Sequence, residues 1–285
     1  MKIEIEDKDP SFLPTGRPRV HIHRLVSCRD LPSTGSNTGI CVELASPEDE
    51  NRAVLIKEMR RILPVMYRPL EDAFRIIFRY LDQPSAITEQ FPLPPSPDFQ
   101  LAHIGEFLFC VYFEELENKI VPCYKWRLNT TDNQHQYGMD ILAFNFDQEP
   151  PEIWLIAVKA TEQGENNKTP SQVYDAVSEL NDYLDSDKLD DDLGVISANL
   201  HTNVRQRNLF MNWYEPYTRG HSNTRPILVA VPAIVAEANV WQDKYARAAL
   251  RSNFVSRDHI VSGTVRVVCI RNLRQLVDAV YAPSI

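Results

Sequence analysis

Two short apolar runs carry the residues best suited to chemistry. Ile141-Leu142-Ala143-Phe144-Asn145-Phe146 is headed by Gly138-Met139-Asp140, and Ile153-Trp154-Leu155-Ile156-Ala157-Val158-Lys159 closes on a lysine. Both read as strands. Residues two apart on a strand share a face, so positions 157 and 159 point one way and Val158 the other. Pairing the runs as a hairpin through Asp147-Gln148-Glu149-Pro150-Pro151 brings Asp140 to the end of the second strand. Asp140, position 157 and Lys159 then converge, and Glu106 on a preceding helix is placed to complete the cluster.

An acid opening one strand and a lysine ending the next form the skeleton of a metal-dependent nuclease site. Phosphodiester hydrolysis uses two carboxylates to hold one or two Mg²⁺ ions against the scissile phosphate, and a lysine to orient water or offset transition-state charge. Position 157, where such a site wants a carboxylate, is alanine. Metal affinity and geometry should both suffer. Glu162 is a poor substitute: it lies roughly 16 Å further along an extended chain and on the opposite face. The spacing alone also fits two solvent-facing strand ends with no chemistry.

The elements around these runs follow from periodicity and caps. Helices alternating with strands from residue 99 onward predict an α/β core. Leu101, Ile104, Leu108, Val111 and Tyr112 share one face of a helix that contains Gly105-Glu106, and a mid-helix glycine suggests close packing there. Ile120 to Arg127 begins an extended segment. Thr169-Pro170-Ser171 starts a helix through Leu184, and the acidic stretch from Asp182 to Asp192 reads as a solvated loop. Beyond it are a buried-type strand over 227–235, a helix over 240–250, a strand over 264–270 and a helix over 273–281.

Upstream, Val20 to Val26 alternates as a strand, with His21 and His23 on one face as half-exposed surface residues. Ile40 to Leu44 is a second strand. Ser46-Pro47-Glu48-Asp49 resembles a helix start. That helix should run to Ile62, be interrupted by Pro64 and Pro69, and give way to another over 70–81. Five prolines between 83 and 98 mark a linker. The expected organisation is an N-terminal strand and helical region over 1–98 and an α/β core over 99–285.

Composition narrows the class. The 285 residues are 44% hydrophobic and 24% charged, ordinary for a globular protein, and no apolar run approaches the ~18 residues of a membrane span. Residues 1–7 lack the apolar core of a signal peptide, so a cytoplasmic protein is expected. Five scattered cysteines without a CxxC pair argue for reduced thiols. The net charge of −9 does not favour unaided binding to DNA, so nucleic-acid work calls for a local basic surface or a partner that delivers the strand. No GxGxxG, GxxxxGK[ST] or GxSxG supports a metabolic α/β enzyme.

The ordered set Gly105-Glu106-Phe107-Leu108, Pro122, Lys125-Trp126-Arg127, Gly138-Met139-Asp140-Ile141-Leu142 and Leu155-Ile156-Ala157-Val158-Lys159-Ala160 resembles the HamA/AbpA effector family of the Hachiman anti-phage defence system. The likeness covers roughly residues 60–280. It implies a PD-(D/E)xK core: a mixed central sheet flanked by helices, as in restriction endonucleases, with an N-terminal strand and helix extension. It also implies a Mg²⁺- or Mn²⁺-dependent DNA endonuclease in a heteromeric complex with a superfamily 2, HamB-like helicase that restrains it until infection. Glu106 and Asp140 match the family's acidic residues and Lys159 the motif lysine; Ala157 stands where the motif has glutamate. The metal set so implied is Glu106, Asp140 and position 157. The mismatch implies a chain that does not cleave. Either the glutamate was replaced to silence a toxic nuclease, or the chain is a naturally inactive member that regulates or recruits its helicase.

Overall fold

The run Ile227-Leu-Val-Ala-Val-Pro-Ala-Ile-Val-Ala-Glu237 is apolar at nearly every position, the pattern of a strand covered on both faces. It forms the centre of the sheet. The structure is a computed structural model that describes residues 19–20, 22–32, 35, 37–44, 50–67, 79, 94, 96–125, 138–162, 168–200 and 204–282. Its strands are β1 (Val26–Asp30), β2 (Thr38–Leu44), β3 (Ile141–Asn145), β4 (Glu152–Thr161), β5 (Ile227–Glu237) and β6 (Val261–Ile270). They form one six-stranded sheet in the order β1-β2-β6-β5-β4-β3. The four strands from β2 to β4 are parallel, and the edge strands β1 and β3 are antiparallel to their neighbours. The hairpin expected between the two chemical runs is present, with Ile141 opposite Ile156 and Asn145 opposite Glu152. The β5–β6 ladder lapses at Val231 and Pro232, where proline has no N–H to donate.

Among the described residues, seven helices cover the sheet: α1 (Glu50–Tyr67), α2 (Pro97–Glu115), α3 (Lys168–Leu184), α4 (Lys188–Ala198), α5 (Val204–Thr218), α6 (Arg247–Arg251) and α7 (Leu273–Tyr281). Alternation along β4 separates two cores. Trp154, Ile156 and Val158 face α1, α2 and α7; Ile153, Leu155 and Ala157 face α3, α4, α5 and α6. The mixed α/β architecture predicted from sequence is thus the observed one. None of the five cysteines, all among the described residues, is in a disulfide. None of the described helices is long and apolar enough to cross a membrane.

Helix α2 begins inside the segment read as a linker over 83–98, at Pro97 rather than at residue 99. Ser96 is its N-cap, accepting from Phe99 N–H at 3.3 Å, and Pro97 and Asp98 occupy its first turn. It is buried on nearly every side, including Phe107, Phe109 and Phe113, rather than along a single stripe. Its last acids are buried but bonded. Glu114 accepts from Tyr124 OH at 2.9 Å, and Glu115 accepts from Val20 N–H at 2.7 Å.

Several expected elements are corrected. α1 does not stop at Ile62 but continues through Pro64 to Tyr67. An interior proline costs about 3 kcal/mol, whereas burying each of Ile62, Leu63, Met66 and Tyr67 contributes about 1.5–3 kcal/mol. Ile22–Arg24 is a 3₁₀ turn and the strand starts only at Val26, so His23 is not on a strand face; His21 lies outside the described residues. The helix expected over 70–81 also lies outside them, apart from Arg79. Over its described residues, 120–125, the extended segment makes a single antiparallel bridge, from Ile120 to Phe144, rather than a strand. The helix placed at 240–250 is a 3₁₀ turn over Asp243–Ala246 followed by α6. The acidic run is mostly helical, not a loop, divided between the end of α3 and the start of α4, and Leu189, Leu193 and Ile196 recur at helical spacing along the buried face of α4.

α1 is tied to the C-terminal helix by arginines. Arg52 donates to Arg271 O at 2.8 Å and Asn272 O at 2.9 Å, and Arg60 donates to Ala279 O at 2.8 Å. Arg52→Met should lower stability by about 1–3 kcal/mol, the worth of charge-assisted hydrogen bonds, read as a lower urea midpoint at unchanged slope.

Candidate active site

β3 ends where its first side chain takes over from the backbone ladder. The register places Ile141 opposite Ile156, so one step further Asp140 stands across from Ala157. Asp140 Oδ2 accepts the N–H of Val158 at 2.7 Å. The carboxylate is thereby fixed to β4 between positions 157 and 159. The approach to Asp140 needs a glycine: Gly138 has φ +119°, and a Cβ there would lie 2.2 Å from Asp192 Oδ1. The carboxylate of Asp192, buried on α4, accepts from Met139 N–H at 3.0 Å and from Tyr183 OH at 2.9 Å.

Glu106 arrives from the other face. The preceding Gly105 lets α2 lie close on the sheet; a Cβ there would stand 3.2 Å from Ala160 Cβ and 3.5 Å from Val158 Cγ1. The close packing expected of this glycine is therefore present. Burial pushes the Glu106 carboxyl well above its usual range, and the charge of Asp140 adds to the rise against Lys125 and Lys159. Asp140 is pushed up to about 6, first by burial and then by Glu179, against Lys159, the Val158 N–H and Lys125. Burial pulls Lys159 down, but the charges of Asp140, Glu179 and Glu106, with the hydrogen bond that its ammonium donates to Glu179, hold it above its ordinary value.

The structure therefore brings Glu106, Asp140 and Lys159 together at the C-terminal end of β4. Ala157 lies among them, fully buried on the same face of β4 as Lys159, and offers only a methyl group. Glu162 takes no part: it pairs with Arg274 at 2.6 and 2.8 Å. Among the described residues, no group of three His, Cys, Asp or Glu side chains is arranged to hold a metal ion. Glu106 and Asp140 flank an alanine, and the nearby Glu179 is engaged by Lys159, so the donors present do not make up a full divalent-cation site.

Three members of the site escaped the sequence reading. Glu179 of α3 forms an ion pair with Lys159. Its place beside Leu180, on the edge of the apolar stripe Val173–Ala176–Leu180, is a signal that helical spacing offered. Lys125 is quoted in the family likeness but had no role assigned to it. Asp192 lay hidden in what read as a solvated acidic run.

Nearly the whole chain matches one known family. It belongs to the HamA family, whose model matches residues 20–282. Membership places it among anti-phage defence proteins. No curated protein matches the chain.

The raised carboxyl at 140 makes stability depend on pH. Below about 4 the group is protonated both folded and unfolded, so it carries no penalty. Between about 4 and 6 the unfolded chain releases the proton first, and stability falls as pH rises. Asp140→Asn keeps an oxygen for the Val158 N–H and removes the charge. It should raise unfolding free energy at pH 7.5 by about 1–3 kcal/mol, at about 1.4 kcal/mol per pKa unit. The gain should shrink through pH 6 and vanish near pH 4, as followed by urea denaturation at each pH.

Proposed function

We propose that this chain is the effector of an anti-phage defence system, built as a PD-(D/E)xK-type DNA endonuclease and partnered by a superfamily 2 helicase. In this copy cleavage is lost at Ala157. The observation that carries the reading is the bond from Val158 N–H to Asp140, which sets a carboxylate beside positions 157 and 159 with Glu106 alongside. That is the geometry in which a motif glutamate, a motif aspartate and a motif lysine would meet at one phosphate.

The residues present still perform part of the work. Lys159 stays protonated across the physiological range and supplies positive charge where a phosphoryl group would gain negative charge. Glu179 restricts where that ammonium sits. Glu106 and Asp140 form the acidic wall of the site. The missing part is the third carboxylate, and no metal-assisted step follows from the residues as they stand. A net charge of −9 fits a protein whose access to DNA is governed by a partner.

Ala157 itself favours a second reading, in which the chain is a non-catalytic regulatory or interaction subunit of a helicase complex. Restoring the acid separates the two. Ala157→Glu should give Mg²⁺-dependent degradation of DNA, on the order of 100-fold or more above the unaltered chain, followed on gels in the presence of the helicase and damaged DNA. If the restored protein stays inert under those conditions, the regulatory reading replaces the nuclease reading.

A further inference from the structure

Lys125 occupies an unusual position for an ammonium group. After the bridge between Ile120 and Phe144, the chain runs back beside β3 and carries Lys125 to the level of Met139. Its Nζ is buried and has no hydrogen-bond partner among the described residues. Asp192 Oδ2 stands 3.9 Å away, close enough for attraction but too far for a hydrogen bond. That oxygen is held where it is, because it already accepts from Met139 N–H and Tyr183 OH. Lys159 differs in this respect, since its ammonium is engaged by Glu179.

An ammonium has three donors, and buried polar groups are nearly always bonded. A lysine with none of its donors engaged is retained where a ligand brings the acceptors. The charge of Lys125 acts on both Glu106 and Asp140, so it faces the candidate site and not a separate cavity. The acceptors must come from a group that is anionic, rich in oxygen and present only during function. A phosphodiester offers two non-bridging oxygens of that kind.

We propose that Lys125 is a second lysine of the site, holding a non-bridging oxygen of a DNA phosphate while Lys159 serves the reacting centre. The identity of the ligand rests on the nuclease reading; the presence of an anion-binding donor rests on the geometry of Lys125 alone.

Binding of a fluorescein-labelled DNA duplex by the full chain, followed by anisotropy from about 50 to 200 mM salt, tests this. Lys125→Met should weaken binding about tenfold and lower the log–log salt slope by about one, the signature of one lost phosphate contact. Lys125→Gln is expected to do the same, so a folding defect in one variant does not decide the matter. Lys125→Arg and Asp192→Asn both leave a cation in place and should keep the slope, whereas a purely structural ion pair would make Asp192→Asn resemble Lys125→Met. An unchanged slope in the Met and Gln variants overturns the proposal, as does absence of DNA binding by the parent chain. Cleavage separates this from the wider reading. If Ala157→Glu cleaves and adding Lys125→Met leaves KM unchanged, the role of Lys125 falls and the nuclease stands. If Ala157→Glu is inert while Lys125→Met still lowers the slope, the nuclease falls and the anion site stands.

Discussion

The hydrogen bond from Val158 N–H to Asp140 sets the geometry on which the candidate site depends. β3 is an edge strand of five residues, short enough for its register to be vulnerable. A slip of one residue would move every side chain of β3 to the opposite face. The Asp140 carboxylate caps the ladder where the strand stops and holds Ile141 opposite Ile156. Everything specific to the site follows from that register. Position 157 lies across from the acid, Lys159 lies one alternation beyond on the same face, and Glu106 is delivered by a helix that a glycine lets lie close to β4.

This anchor is itself supported from below. Asp192 bonds Met139 N–H, and Gly138 leaves room for its carboxylate. A buried carboxylate with two donors and a lysine at 3.9 Å is well compensated, whereas one without partners would cost several kcal/mol. Asp192 is carried by α4, and its partner Tyr183 by α3. The position of Asp140 therefore depends on the packing of two helices that follow it in sequence by about forty to fifty residues. The site is held by the α3/α4 layer on one face and by α2 on the other, and it closes only when both layers have docked.

What the sequence disclosed, and what it concealed, divides along physical lines. The apolar runs over 141–146 and 153–159 and the proline-containing turn between them predict the hairpin, because short apolar runs and turn chemistry are local. The alternation of helices and strands likewise predicts the α/β core, and the family likeness its mixed sheet. Local rules failed where a tertiary contact outweighs them. Pro64 reads as a helix end, yet the apolar residues around it are buried well enough to keep α1 intact. Asp190, Asp191 and Asp192 read as one solvated run. Helical geometry separates them, leaving Asp192 inside and Asp190 bonded to Tyr217 at the surface. The ion pair of Lys159 with Glu179 joins elements twenty residues apart, and no spacing rule links a strand lysine to a particular turn of the next helix.

The charges at the site give meaning to the alanine. Glu106, Asp140, Glu179 and Asp192 meet Lys125 and Lys159, so acids outnumber bases at the site. Burial raises the carboxyls of Glu106 and Asp140, which favours proton uptake there. A glutamate at 157 would add another acid to the same buried space. Like charges in a low-dielectric interior repel, and protons or a cation would relieve them. Ala157 thus does more than delete an oxygen ligand. It also keeps one more negative charge out of that space.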